Sequence, residues 1–124
     1  MESELDLLLG TAIDSLVKLE ILLDLHARPG SAQTPDQIGS RLRRPREEVA
    51  RALEQLSEAG LIDRFALGTG KHVIYGPAED PHVGQLLELL HERYHGDPEA
   101  RTRIVRRTAE GRAGLDPETG PSHG

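Results

Sequence analysis

Two proline-marked helix starts, Pro35 and Pro45, stand so close together that the helix between them has little more than two turns. Thr34-Pro35-Asp36-Gln37 carries the first start. Thr34 is a capping residue, Pro35 suits the first helical position, and Gln37 can reach back as the third member of a capping box. That short helix turns Ile38 and Leu42 inward. Pro45 then opens a longer helix in which Val49, Ala52, Leu53 and Leu56 are spaced for burial, and Gly60 is placed to close it in a left-handed conformation. Short helix, tight turn, longer helix is the frame into which the rest of the chain must fit.

The flanks read as helix on both sides, with a hairpin in between. From Glu4 to about Ala27, Leu5, Leu8, Leu9, Ala12, Ile13, Leu16 and Val17 recur at spacings of three and four. Gly10 and Asp14-Ser15 divide this stretch into two helices. Ile21, Leu22, Leu23 and Leu25 widen the apolar surface beyond one globular face, which predicts a second partner surface. Arg28-Pro29-Gly30-Ser31 ends the helix. Beyond Gly60, the β-prone runs 61–66 and 72–75 flank the turn Leu67-Gly68-Thr69-Gly70-Lys71 and predict a hairpin. Asp80-Pro81 starts a helix striped by Val83, Leu86, Leu87, Leu90 and Tyr94. Gly96-Asp97-Pro98 interrupts it, and a basic helix follows from Glu99 to about Thr108. The expected organisation is one domain over 1–110, with a core at 15–77, further helices at 80–108, and a disordered Gly- and Pro-rich tail at 111–124.

Composition narrows the function classes. A chain of 124 residues with 36% hydrophobic side chains supports one modest core, and its few aromatics (Phe65, Tyr75 and Tyr94) leave that core to aliphatic residues. The absence of cysteine excludes disulfides, thiolate metal sites and cysteine nucleophiles. Apolar runs of four residues or fewer fall far short of the ~20 that span a bilayer, so no membrane partner is expected. Met1 leads into Glu2, Glu4 and Asp6, unlike a basic leader, and the expected location is the cytoplasm. The net charge of −6 argues against a dedicated polyanion binder, but it is unevenly spread. Residues 1–38 carry two basic and seven acidic groups, whereas 39–77 carry seven and five. A second basic segment at 99–113 holds Arg101, Arg103, Arg106, Arg107 and Arg112. A polyanion would meet the middle of the chain or this late cluster.

The order helix, short helix, turn, helix, hairpin resembles a winged helix-turn-helix domain, mainly α with a small β-hairpin. Residues 19–64, within a resemblance that spans roughly 15–95, look like that family's passage from an apolar helix through a capped helix to a recognition helix. Leu56-Ser57-Glu58-Ala59-Gly60-Leu61-Ile62 is similar to its entry into the wing. The segment 75–94 resembles the helix after the wing in ArsR/SmtB-type repressors, with MarR-like proteins also similar. The resemblance implies a cytoplasmic, non-enzymatic repressor that occupies double-stranded DNA and excludes polymerase. It also implies flanking N- and C-terminal dimerisation helices, and hence a homodimer on a palindromic operator with half-sites about one helical turn apart. The apolar surplus at 21–25 and the Leu86/Leu87/Leu90 stripe fit that dimer; the alternative is that they pack on each other within one subunit.

Carried over by position, the resemblance places Arg44, Arg46, Glu47, Ala50 and Arg51 on the groove-facing side of the recognition helix. A planar arginine fork can bond guanine O6 and N7 together. Arg41 and Arg43 are placed for phosphates, and Lys71 and His72 sit at the wing tip. Glu47 and Glu48 in the helix's first turn favour its dipole but repel phosphates. Glu47 can instead accept from cytosine N4, or the pair can mark a winged helix that docks on protein rather than DNA.

A zinc-responsive version is the other alternative. Asp80-x-His82 with His91 and His95 resembles the zinc set of some ArsR/SmtB-type repressors, although the spacings differ and rotate the ligands about the helix. Residues 91–95 also match H-E-x-x-H, the zinc hydrolase string. There, the break at Gly96-Asp97-Pro98 and the want of a third ligand argue for no catalysis. The expected cofactor is none, with zinc as the single contender.

Overall fold

The computed structural model describes residues 2–68 and 72–114, with side chains up to Glu110. It begins with two helices, α1 (Glu2–Leu8) and α2 (Leu16–His26). The break between them falls where Gly10 adopts a positive φ of 94°, and Ser15 caps α2 by accepting from the Lys18 amide at 3.3 Å. Lys18 is itself buried, its ammonium held by Asp14 at 2.8 Å.

α2 is the centre of the molecule. Val17, Leu19, Ile21, Leu22 and Leu25 are all buried on it. Helices α3 (Pro35–Leu42), α4 (Arg46–Glu58), α5 (Pro81–Gly96) and α6 (Pro98–Gly114) surround it, together with strand β2 (His72–Pro77). This corrects the sequence expectation. The apolar surplus at Ile21, Leu22 and Leu25 serves no second partner, because neighbours on nearly every side within the one chain cover it. The same holds for Leu86, Leu87 and Leu90 of α5, which are buried within the chain. A helix surrounded by its own fold is apolar all round for the same reason a dimer helix is.

The helix-turn-helix forms as its capping signals dictate. Gln37 donates from its backbone to Thr34 Oγ1 at 3.1 Å, and the Thr34 amide donates to Gln37 Oε1 at 2.9 Å, which completes the capping box. α3 ends at Leu42, and Arg43 takes the left-handed conformation (φ 58°, ψ 48°) usually left to glycine. The Arg44 amide then donates to the Gly39 carbonyl at 3.0 Å. A Cβ on Gly39 would lie 3.1 Å from the Arg44 carbonyl oxygen, so the turn closes directly against this glycine. α4 starts after Pro45 without a side-chain cap, and Glu47 and Glu48 in its first turn complement the helix dipole instead. Gly60 ends the passage out of α4 with φ 82°.

Strands β1 (Ile62–Leu67) and β2 pair antiparallel in the register Ile62↔Pro77 to Leu67↔His72. The loop before α3 joins them, since Gln33 and Tyr75 exchange two backbone hydrogen bonds of 2.8 Å. α5 starts at the expected Asp80 cap, which accepts from the His82 amide at 2.8 Å, and ends at Gly96. α6 runs beyond the expected end near Thr108, with Ala100, Ile104 and Thr108 buried at intervals of four along it. Of the expected tail, residues 111–114 continue the helix, while 115–124 lie outside the described residues. Among the described residues, no helix is long and apolar enough to cross a membrane.

Candidate nucleic-acid interface

α4 is anchored by one face only. Val49, Ala52, Leu53 and Leu56 are buried, whereas Arg46, Glu47, Glu48, Arg51, Glu54 and Gln55 are exposed. The spacing of the buried set at three and four residues therefore turns the remaining stripe to solvent. Arg51 stands on this stripe next to an open cleft of about 480 Å³ that separates it from Asp14 and Lys18 at the start of α2. Arg46 reaches Asp36 of α3 at 2.8 Å, both side chains being well over half exposed. Such an exposed pair is worth little and exchanges easily for another anion.

Two arginines expected at the DNA surface are turned into the protein. Arg41 grips Asp24 of α2 with both ends of its fork, Nε to Oδ1 at 2.9 Å and Nη2 to Oδ2 at 2.5 Å. Arg44 does the same with Glu20, Nε to Oε1 at 2.6 Å and Nη2 to Oε2 at 3.1 Å, and adds Glu48 at 3.4 Å. Hydrogen bonding to these carboxylates raises both guanidinium pKa values above the ordinary arginine range, with partial burial opposing it. Their geometry locks the helix-turn-helix to α2. Glu20 and Asp24 stand one turn apart on α2, and they meet Arg41 in the last turn of α3 and Arg44 in the turn after it, a pairing not singled out from the sequence.

The remaining expected contacts are placed as follows. Arg43 is exposed in the turn, and Glu47 is exposed in the first turn of α4. His72 is exposed at the start of β2, and Lys71 lies outside the described residues. Arg64, not singled out from the sequence, is exposed on β1 opposite Tyr75. The hairpin also exposes Phe65 (40%) and Leu67 (47%), two residues apart and so on a common face.

The zinc set does not assemble. Asp80 is occupied as the α5 cap, and His82 pairs with Glu4 of α1 at 2.7 Å. His91 and His95 instead lie against each other, ring centroids 4.4 Å apart and planes tilted by 52°. His91 also meets His26 of α2 at 4.9 Å, and His26 pairs with Glu88 at 3.2 Å. Among the described residues, no three His, Asp or Glu side chains stand together so as to hold a metal ion.

His91 links stability to pH. Burial, then His95 and His26, lower the His91 pKa from its usual 6.5, with Glu88 and Glu92 opposing. The fold therefore favours neutral His91, and its contribution is present in full above pH 6.5 and declines as the pH falls below that value. A lower Tm at pH 5.5 than at 7.5 is expected in a thermal melt, and the difference should shrink in His91→Asn.

No family model matches the chain, and no curated protein matches it. Among solved structures, it is similar to reduced HlyU from Vibrio cholerae N16961, with a TM-score of 0.57 and 23% identity over 76% of this chain and 93% of that one. The fold is a winged helix-turn-helix. In its terms α3 and α4 are the helix-turn-helix and β1–β2 the wing; α1, α5 and α6 flank this core.

Proposed function

We propose that this chain is a transcription regulator that binds double-stranded DNA sequence-specifically as a homodimer and represses by occupying its operator. The observation that carries the proposal is the exposed face of α4, where Arg51 and Arg46, the latter in an exposed pair with Asp36, project from a helix held from behind by four buried side chains. The likeness to HlyU, an ArsR/SmtB-family regulator, supports the same reading. Arg46 and Arg51 read bases, Glu47 accepts from cytosine N4, and Arg43, Lys71 and His72 meet the backbone. Arg41 and Arg44 are given the different role of bracing α3 and α4 on α2. Without cysteine, a thiol redox switch is not open to this regulator.

Arg43 gives this reading an independent check. A left-handed non-glycine residue costs about 1 kcal/mol, a strain that persists where the side chain has a task. Relief of that strain, offset in part by the entropy glycine adds to the unfolded chain, is expected to leave Arg43→Gly as stable as the parent or up to about 0.5 kcal/mol more so in urea denaturation. The same substitution should weaken binding to specific and random DNA by equal factors, as loss of a phosphate contact does.

The dimer must use a surface other than the two leucine stripes. Leu7 on α1, 70% exposed, is the prominent apolar side chain left outside. Leu7→Glu is expected to convert the dimer to monomer in sedimentation velocity runs without lowering helicity.

Fluorescence anisotropy with the DNA flanking the chain's own gene, against a scrambled duplex, tests the proposal. Preferential binding of the native duplex supports it, and equal or absent binding refutes sequence-specific regulation. The apolar wing face of Phe65 and Leu67 favours a second reading, docking on a protein, which absent DNA binding would bring forward.

A further inference from the structure

We propose that a cavity between α1 and α6 is a binding site for a small aromatic or short aliphatic monocarboxylate, an effector site distinct from the DNA-facing surface. The cavity measures about 200 Å³. Its floor is apolar, formed by Leu5, Leu9 and Ile104, each exposed by 5% or less. Its rim is cationic, formed by Arg93, Arg103 and Arg107. Asp6 is the single carboxylate among the lining residues, so the rim carries a net positive charge.

The three arginines are not equivalent. Arg93 is paired with Glu2, and Arg107 donates to the Asp6 carbonyl oxygen at 2.9 Å, so their own contacts fix both at the rim. Arg103 is exposed and, among the described residues, has neither a carboxylate nor a hydrogen-bond partner. A guanidinium fork left open above an apolar floor suits a carboxylate whose body enters the cavity.

Size and polarity select the ligand class. An apolar cavity of about 150 Å³ admits benzene, so the volume here takes a ring or short chain with its carboxylate at the rim. Arginines around an aromatic body add cation–π attraction. An inorganic anion would leave the leucine and isoleucine floor unused, and a nucleotide exceeds the volume. Leu7 faces away from Leu5 on α1, as its 70% exposure against 5% shows, and does not line the cavity, so the side chain proposed for the dimer is not part of this site.

Titration calorimetry on the full chain with benzoate tests the site, with benzyl alcohol and benzylamine as neutral and cationic controls. Benzoate is expected to bind with a Kd of about 1 mM or tighter, and both controls to bind more weakly by roughly tenfold or more. Arg103→Ala, a change at an exposed position, should weaken benzoate by a similar factor. Ala100 of α6 also lines the cavity, and Ala100→Leu, which fills it, should abolish binding while leaving the arginines in place. Benzoate and benzyl alcohol binding alike would overturn the proposal, as would an Arg103→Ala chain that binds benzoate unchanged, or no binding at about 10 mM. These readouts involve no DNA, so they stand or fall separately from the operator-binding reading.

Discussion

Leu22→Ala is expected to lower the free energy of unfolding by about 3 kcal/mol, because the side chain is 1% exposed at the middle of α2 and its removal leaves a cavity. Domains of this size are stable by only about 5–15 kcal/mol, so the change should be plain in the midpoint of a urea titration. Leu67→Ala, at a residue 47% exposed on the wing, should stay within about 0.5 kcal/mol of the parent. The pair distinguishes two accounts of the leucines in α2. If they fill the interior of one chain, Leu22→Ala costs the same in a Leu7→Glu background, where the dimer is absent. If they formed a dimer surface, the cost would disappear in that background.

The second large effect concerns the free face of α4. Arg51→Ala is expected to cost about 1–3 kcal/mol of binding to the specific duplex and much less on scrambled DNA, the signature of a bidentate base contact. Competition anisotropy on both duplexes reads the difference. Equal losses would make Arg51 a phosphate contact and move base reading to Arg46 and Glu47. Arg51 is the better probe of the two arginines, since Arg46 also holds Asp36 and its replacement removes an ion pair.

The capping signals explain why so much of the architecture was legible in the chain. Thr34, Pro35, Gln37, Asp80 and Gly60 act within a few residues of themselves, so their meaning survives without tertiary context. The burial of Val49, Leu53 and Leu56 followed from helical spacing for the same reason. What the pattern could not carry was the destination of each apolar face. Ile21, Leu22 and Leu25 look identical whether α4, α5 and α6 cover them or a second subunit does.

The charged residues show the same limit from another side. Arg41, Arg43, Arg44 and Arg46 form one basic run in sequence, but Arg41 and Arg44 find Asp24 and Glu20 more than a dozen residues upstream. The left-handed turn at Arg43 leaves Arg43 and Arg46 exposed while Arg41 and Arg44 both face α2. The histidines divided likewise, His82 towards α1 and His91 towards His26, because α5 presents residues nine apart to different elements. The Gln33–Tyr75 bridge had no β-prone pattern to announce it, being one residue long in the loop before α3.

Salt dependence tests the central claim most directly. Anisotropy titrations of the native flanking duplex, repeated across salt concentrations, should give a log–log slope of about −5 or steeper, as several neutralised phosphates under a dimer require. A shallow slope, or no binding to either duplex at low salt, would contradict DNA binding through α4 and leave Glu47 and Glu48 as the side chains that turn phosphates away.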